Sequence, residues 1–260
     1  MKTLIATALL LATSGAYAHD SCNVNLEGGL KISKQSIEFY NKDELLYKIN
    51  NDQTLIINGE ALSLNASQQS LVSQYSSSIH AVVPEVQSIV MDGLDLASDG
   101  VNMAFNELLG EGNDVGRDLS EELEHIRTKL NAKFSSDEGF YINHDGIDGG
   151  DFFGEEFEQH IESVVENAVK NSMGSILIAV GQELLYSGGN TDAFEARMEG
   201  FGERIEHEME TRAETIEKRG NELCESALKI NELEESMKAE IEELSDFNII
   251  SVSQSNHDEA

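Results

Sequence analysis

The stretch RGNELCESALKINELEES, residues 219–236, decides the fold. Apolar side chains recur in it at Leu223, Ala227 and Ile230, and most of the other positions are charged or polar. This three- and four-residue spacing places the apolar side chains on one face of an amphipathic helix. The same stretch carries Cys224, one of only two cysteines in the 260-residue chain. Such a helix has to bury its apolar face and its cysteine against other segments of the chain.

The amphipathic pattern extends in both directions, from Thr191 to Ser245. It predicts one long acidic helix, or two helices that meet near Gly220. The apolar seam of this region runs from Phe194 to Leu244 and is narrow, as in helices that pack lengthwise in a coiled coil. The chain therefore contains at least one long helix that packs along its length.

Similar periodicity predicts further helices upstream. Pro84 is expected to end one helix and to open the next, because proline lacks the N–H that an interior helical position needs. The stretch SILIAVG from Ser175 is too short to span a bilayer and is predicted to be a core segment of a helix. The other predicted helices are Leu119 to Phe134, and Phe157 to Tyr186 with bends near Gly174 and Gly181.

The first part of the chain has a different pattern, with short alternating runs between Cys22 and Leu64. Asn58-Gly59 separates two such runs, Thr54–Ile57 and Glu60–Leu64, and is typical of a tight hairpin turn. Five or six short strands fit this region, and such a small sheet needs support from another layer.

These patterns together predict an α+β, mostly α fold. A β-meander in residues 19–64 packs on a bundle of long helices in residues 65–245. Within the bundle, about residues 135–156 are predicted to be an acidic loop, and residues 246–260 a disordered polar tail.

The amino terminus predicts export. Lys2 is followed by an apolar run from Leu4 to Thr13 and by Ala-Tyr-Ala, which is typical of a signal peptide cleaved after Ala18. HDS precedes Cys22, so the small residues that a lipid-anchoring signal needs are missing there. We expect residues 1–18 to be removed and the mature protein to lie in the periplasm, without a lipid anchor or a membrane span.

Charge restricts the partners. The chain has 49 acidic residues against 17 basic ones, a formal net charge of −32. Such a field repels nucleic acids and anionic lipid surfaces. Cationic proteins, peptides and divalent cations remain as partners, self-association stays open, and the acidity could serve solubility alone.

The two cysteines, Cys22 and Cys224, are expected to form a disulfide, since an exported chain with no cysteine left over commonly pairs them. Two buried free thiols are the alternative. No C-x-x-C spacing is present, which argues against thiol–disulfide catalysis.

Motifs for catalysis are missing from the sequence. Gly-x-Ser-x-Gly, a phosphate-binding loop and a dinucleotide fingerprint do not occur, so we expect a protein that is not an enzyme and needs no cofactor. The acidic loop does offer oxygen ligands of the kind that calcium prefers, although their spacing does not match an EF-hand. The candidate calcium ligands are Asn143, Asp145, Asp148, Asp151 and Glu155.

Several segments, in order, resemble the YggN-type family of exported bacterial proteins of uncharacterised function. They are CNVNLEGGLKIS, ING with LSLNASQQ and QY, IHAVVP, SMGSILIAVGQELLYSGGN and LCESALKINELEESM. The resemblance implies a pairing of the amino-terminal cysteine with the one in the last helix, and it brings no catalytic residues. The acidic loop and the extreme charge depart from the family pattern.

The sequence leads to one main functional hypothesis. We expect a non-enzymatic envelope protein, structural or partner-binding, that uses its helical seam or the edge of its β-meander. The alternative is a calcium-binding protein that uses the loop from Asp145 to Glu156. A hydrolase whose catalytic groups meet only in three dimensions is a third hypothesis.

Overall fold

The computed structural model describes residues 21–42, 44–144, 146–147, 155–186 and 191–255. Within these residues the protein is α+β and mostly α, as the sequence predicts. The helices are α1 (Ala66–Leu109), α2 (Asp114–Phe134), α3 (Glu155–Tyr186) and α4 (Thr191–Glu240), and a 3-10 turn follows at Glu242–Leu244. The strands are β1 (Ser21–Leu26), β2 (Gly29–Ile32), β3 (Ser36–Asn41), β4 (Glu44–Asn50), β5 (Thr54–Ile57), β6 (Glu60–Ala61), β7 (Phe140–Asn143), β8 (Gly146–Ile147) and β9 (Ile250–Ser255).

The main sheet is antiparallel, with the order β6-β5-β4-β3-β2-β7-β8 in the described part of the chain. β2 to β6 follow one another as hairpins, so this part forms from local contacts. The predicted Asn58-Gly59 turn is confirmed: Ile57 pairs with Glu60, and both turn residues have positive φ, 53° and 80°. Asn and Gly tolerate that conformation better than other residues.

β7 and β8 correct the prediction of an acidic loop over residues 135–156 where they lie, and residues 145 and 148–154 of that loop are outside the described residues. Phe140 and Ile142 pair with β2 and extend the sheet, and Ile147 is buried beside them. The alternation of Phe140, Tyr141 and Ile142 is only one strand long and lies among glycines and acids. Because its partner is more than a hundred residues earlier, the local pattern could not reveal the pairing.

β1 leaves the sheet and pairs along its whole length with β9 in a separate two-stranded ribbon. The prediction of a disordered tail over residues 246–260 is therefore wrong for residues 246–255. Ile249 and Ile250 are buried, and they bring a polar strand, ISVSQS, against β1. Backbone pairing and two buried isoleucines thus order a segment that its composition alone describes as a tail.

The chain turns from the ribbon into the sheet at Gly28 and Gly29, which are buried. A Cβ on Gly28 would overlap the Tyr40 carbonyl, and a Cβ on Gly29 would overlap the hydroxyl of Tyr141. Only glycine leaves room for this close approach. The Gly-Gly pair therefore marks the point where the two sheets diverge.

The helix bounds differ from the predicted ones: α2 and α3 begin earlier, whereas α4 ends at Glu240, before the predicted Ser245. α1 continues through Pro84, which does not separate two helices. Pro84 is exposed, so water can bond the carbonyl that the missing N–H leaves without a partner. α3 continues through Gly174 and Gly181, and α4 continues through Gly220 as one helix. In α4, packing along α1 offsets the roughly 1 kcal/mol that an interior glycine costs a helix.

The core lies between one face of the sheet and the first half of α1 and the last part of α4. Asn65 caps α1 in a capping box with Gln68, which fixes where the helix begins. The largest side chains that are almost fully buried come from all these elements: Ile37, Phe39, Ile49, Leu55, Val72, Tyr75, Met237, Ile241 and Leu244.

Beyond the core, the second half of α1 and the first half of α4 lie side by side and antiparallel. Their facing apolar side chains are half-buried, and ion pairs line the contact. Exposed pairs of this kind contribute only about 0–1 kcal/mol each, so they fix the register more than the stability. The pairs are Arg219 with Asp92, Arg212 with Asp99, and Arg204 with Glu107, the last at 3.6 Å.

A disulfide joins Cys22 in β1 to Cys224 in α4, with their Cα atoms 5.9 Å apart. Both chain cysteines are used, so the alternative of two free thiols does not hold in this structure. The bond closes a loop with a sequence separation of 202 residues. It fastens the ribbon to the last helix.

Replacing both cysteines, Cys22→Ser and Cys224→Ser, should lower the free energy of unfolding. The chain-entropy model gives an upper figure of about 5 kcal/mol for a loop of this length. Urea unfolding followed by circular dichroism measures the loss, and the reduced natural chain should match the double variant. An unchanged midpoint, or two titratable thiols in the unreduced, denatured protein, would contradict the structural role of this bond.

Candidate functional site

The second half of α3 exposes large apolar side chains. Leu177 is 66% exposed, Ile178 62% and Leu185 81%, and Met173 is also exposed. Ile178 and Leu185 are seven residues apart and so lie two turns apart on one side of the helix, with Leu177 beside them. We call this the α3 apolar face. Contiguous exposed apolar surface of this kind commonly marks an interaction site.

This face corrects the prediction that SILIAVG is a core segment. The stretch is helical, but two of its large side chains, Leu177 and Ile178, lie on the surface. α3 meets the core near its beginning, where Ile161 is partly buried against the main cluster. A helix that is apolar on most sides is usually buried, and the local sequence cannot show that neighbouring helices cover only part of it.

Acidic residues dominate the rest of α3. The helix contains six glutamates and one lysine, Lys170, which pairs with Glu166 at 2.6 Å. Glu162 and Glu166 are exposed. The described exposed glutamates thus lie in the amino-terminal half of α3, ahead of the α3 apolar face, in a chain of net charge −32.

The seam of α4 is not a free surface. Its described apolar side chains are buried or half-buried, with Ile230, Met237 and Ile241 in the core and the earlier ones packed against α1. The seam thus holds the monomer together. Within the described residues, the predicted apolar seam is therefore not left exposed.

The edges of the main sheet offer little for a partner to pair with. In the described part of the chain the two outer strands, β6 and β8, have two residues each. Very short edge strands are one way in which proteins prevent further strand addition. The β-meander edge is therefore a weaker binding surface than the α3 apolar face.

The candidate calcium ligands fall mostly outside the described residues. Asp145, Asp148 and Asp151 lie there entirely, and so does the side chain of Glu155. Asn143 is described, and its backbone pairs with Gly146 in the hairpin of β7 and β8. Among the described residues no group of three or more His, Cys, Asp or Glu could hold a metal ion. The calcium site stays a prediction.

Asp52, His80 and Ser76 meet in a cluster that the sequence did not indicate. His80 Nδ1 lies 2.8 Å from Asp52 Oδ1, and the Ser76 hydroxyl donates to the same oxygen at 2.7 Å. In a nucleophilic triad the serine bonds the histidine, but here it is fully buried and bonds the aspartate. His80 Nε2 instead lies 2.9 Å from the Ser33 carbonyl oxygen. The cluster ties α1 to two turns of the sheet.

Glu234 is the second buried polar centre, with only 2% of its surface exposed. Its carboxylate accepts hydrogen bonds from the N–H of Ile249 at 2.7 Å, the N–H of Ile250 at 3.2 Å and the hydroxyl of Tyr75 at 3.1 Å. Burial raises the pKa of Glu234 above its ordinary value, and the donors offset part of that shift. One side chain thus joins α4, α1 and the start of β9.

Burial also keeps Tyr75 protonated, so that its hydroxyl can donate to Glu234. It raises the pKa of the Tyr75 hydroxyl well above 10, and nearby Tyr47 and Glu234 raise it further. Tyr75 therefore stays protonated at any physiological pH and can donate to the carboxylate. The arrangement is a structural tie, without an opening to solvent.

A comparison with family models matches residues 22–250 to the family described as "Protein of unknown function (DUF2884)". The chain belongs to that family. The part matched to the DUF2884 family contains both disulfide cysteines, all four helices and the main sheet. A search of curated proteins and a search of solved structures each found no match.

In the part of the chain that the structure describes, every helix falls short of the length or the apolar character that a bilayer span requires.

The raised pKa of Glu234 predicts a pH dependence of stability. A carboxyl that binds its proton more tightly in the folded state stabilises the fold below its unfolded pKa, 4.5, and loses that contribution as pH rises through the folded pKa. The free energies of unfolding of the natural chain and of Glu234→Gln should therefore diverge as the pH rises above 4.5, at most by about 1.4 kcal/mol per pH unit.

The exposed Glu232→Gln, on the same helix, is the matched control. Its difference from the natural chain should stay constant over the same pH range. If Glu234→Gln also gave a constant difference in urea unfolding, Glu234 would not bind its proton more tightly in the folded state.

Proposed function

We propose that this chain is a YggN-type protein exported to the periplasm, not an enzyme, that binds a protein partner through the α3 apolar face. The observation that carries the proposal is the exposure of Leu177, Ile178 and Leu185 on one helix. Export is supported by the signal-peptide pattern of residues 1–18, which lie outside the described residues, and by the disulfide.

The chemistry of the surface selects the partner. An apolar face on a chain of net charge −32 fits an amphipathic helix whose apolar side faces α3 and whose flanks carry lysine or arginine. Two copies of this chain would instead bring two net charges of −32 together, which opposes self-association. We therefore assign the face to a basic amphipathic helix of another protein.

A site-specific photocrosslinker tests the proposal in envelope extracts. p-Benzoylphenylalanine is placed at Leu177 or Leu185, with Leu45, an exposed leucine on β4, as the control position. The adduct formed from α3 should map to a basic amphipathic segment, and roughly 1 M salt should weaken it because the charges are screened. Adducts only with a second copy of the chain, or none beyond the control position, would refute the proposal.

The double variant Leu177→Ser and Leu185→Ser should bind a synthetic lysine-leucine amphipathic helix at least tenfold more weakly than the natural chain. Burying a leucine contributes about 1.5–3 kcal/mol, so two such losses exceed that factor. Calorimetry measures the affinity. The melting temperature should stay nearly unchanged, since both side chains are exposed in the free protein.

Leu45→Ser is the control and should bind the peptide as the natural chain does. Equal weakening in the control and in the double variant would mean that the peptide binds by charge alone, away from the α3 apolar face.

A further inference from the structure

A cavity of about 300 Å³ lies where the ribbon, one end of the main sheet and the helices meet. The ribbon and the sheet form one side, and α1, α4 and the end of α2 form the other. α3 contributes no lining residue among those described, so this cavity is separate from the α3 apolar face. Representative lining residues are Val24, Ile32, Phe140, Val83, Leu223 and Ala227.

The lining is uniformly apolar. Every described side chain that faces the cavity is Val, Leu, Ile, Phe or Ala, and no polar surface is exposed to it. A water molecule inside would find none of the two to four polar partners that it needs. An engineered apolar cavity of about 150 Å³ in another protein stays dry and binds benzene. This one has about twice that volume, so it can take a larger apolar group.

The cavity is open on one side. Val24 on β1 is 47% exposed, and Val82, Val83 and Leu223 are partly buried. A ligand can therefore place an apolar portion inside and leave a polar group in water. The sheet and core side chains at the far end, such as Ile79 and Ile230, are buried and close the bottom.

The disulfide lies beside the wall of this cavity, although neither cysteine lines it. Cys22 is two residues from Val24 on β1, and Cys224 is next to Leu223 on α4. The bond therefore holds the ribbon wall at a fixed distance from the helix wall. The cavity does not depend on side-chain packing alone to keep its width.

We propose that this cavity binds one aliphatic chain of a lipid-like molecule, with the head group outside. A purely apolar lining recognises hydrocarbon and supplies nothing to bond a head group inside. The net charge of −32 disfavours an anionic head at the entrance, so uncharged or zwitterionic heads bind more tightly than carboxylates. A free alcohol and a phosphocholine lipid share this chemistry, and both are tested.

Displacement of the fluorescent apolar dye N-phenylnaphthylamine from the full oxidised chain is the experiment. Dodecanol, dodecylphosphocholine and dodecanoate are compared below their micelle concentrations. The first two should displace the dye, and dodecanoate should be at least tenfold weaker. In a series of shorter alcohols, each CH₂ removed should weaken binding about fourfold while the chain still lies inside the cavity.

Ala227→Phe fills the cavity from α4 and should weaken both dye and dodecanol binding at least tenfold. Val86→Phe fills it from α1 and serves as the second variant if the first does not fold, as judged by circular dichroism and melting temperature. Ala213→Phe makes the same change at an exposed position of α4 and should leave binding unchanged.

Failure of every probe to bind, or binding that survives in both folded filling variants, overturns the proposal. Tightest binding of dodecanoate overturns the assigned head-group preference. None of these outcomes involves Leu177 or Leu185, so they are independent of the fate of the proposed partner-binding function.

Discussion

The disulfide between Cys22 and Cys224 is the constraint that fastens the ribbon of β1 and β9 to the long helices. It joins the first described strand to the last helix across a sequence separation of 202 residues. The strands β1 and β9 pair with each other and form no ladder with the described main sheet, since the chain turns away from it at Gly28-Gly29. A two-stranded ribbon is marginal alone, so its attachment to α4 is what keeps it in place.

Glu234 attaches the second strand of the ribbon to α4, as the disulfide attaches the first. The disulfide holds β1, and the Glu234 carboxylate holds the start of β9 through the N–H groups of Ile249 and Ile250. Burying a carboxylate is costly unless it is hydrogen-bonded, and three donors offset that cost. The same ribbon forms one wall of the apolar cavity. The disulfide and the hydrogen bonds of Glu234 therefore also hold that wall in place.

The molecule presents two apolar features of different kinds. The α3 apolar face is convex and belongs to a strongly acidic chain, which suits a helix of opposite charge. The cavity is concave and without polar lining, which suits a hydrocarbon chain. In the paired halves of α1 and α4, by contrast, the facing apolar side chains already pack against each other. The α3 apolar face is therefore separate from the surface that stabilises the monomer, whereas the cavity is lined in part by core residues such as Ile79 and Ile230.

The sequence by itself determined the helices, the local hairpins including Asn58-Gly59, and a cysteine pair consistent with one disulfide. Each of these rests on contacts within a few residues or, for the cysteines, on simple counting. Only the tertiary structure decided that Phe140–Asn143 joins the sheet, that Ile250–Ser255 pairs with β1, and that Leu177 and Ile178 stay exposed. Those outcomes depend on partners far away in the chain, and neither periodicity nor composition records which distant surface an apolar side chain meets.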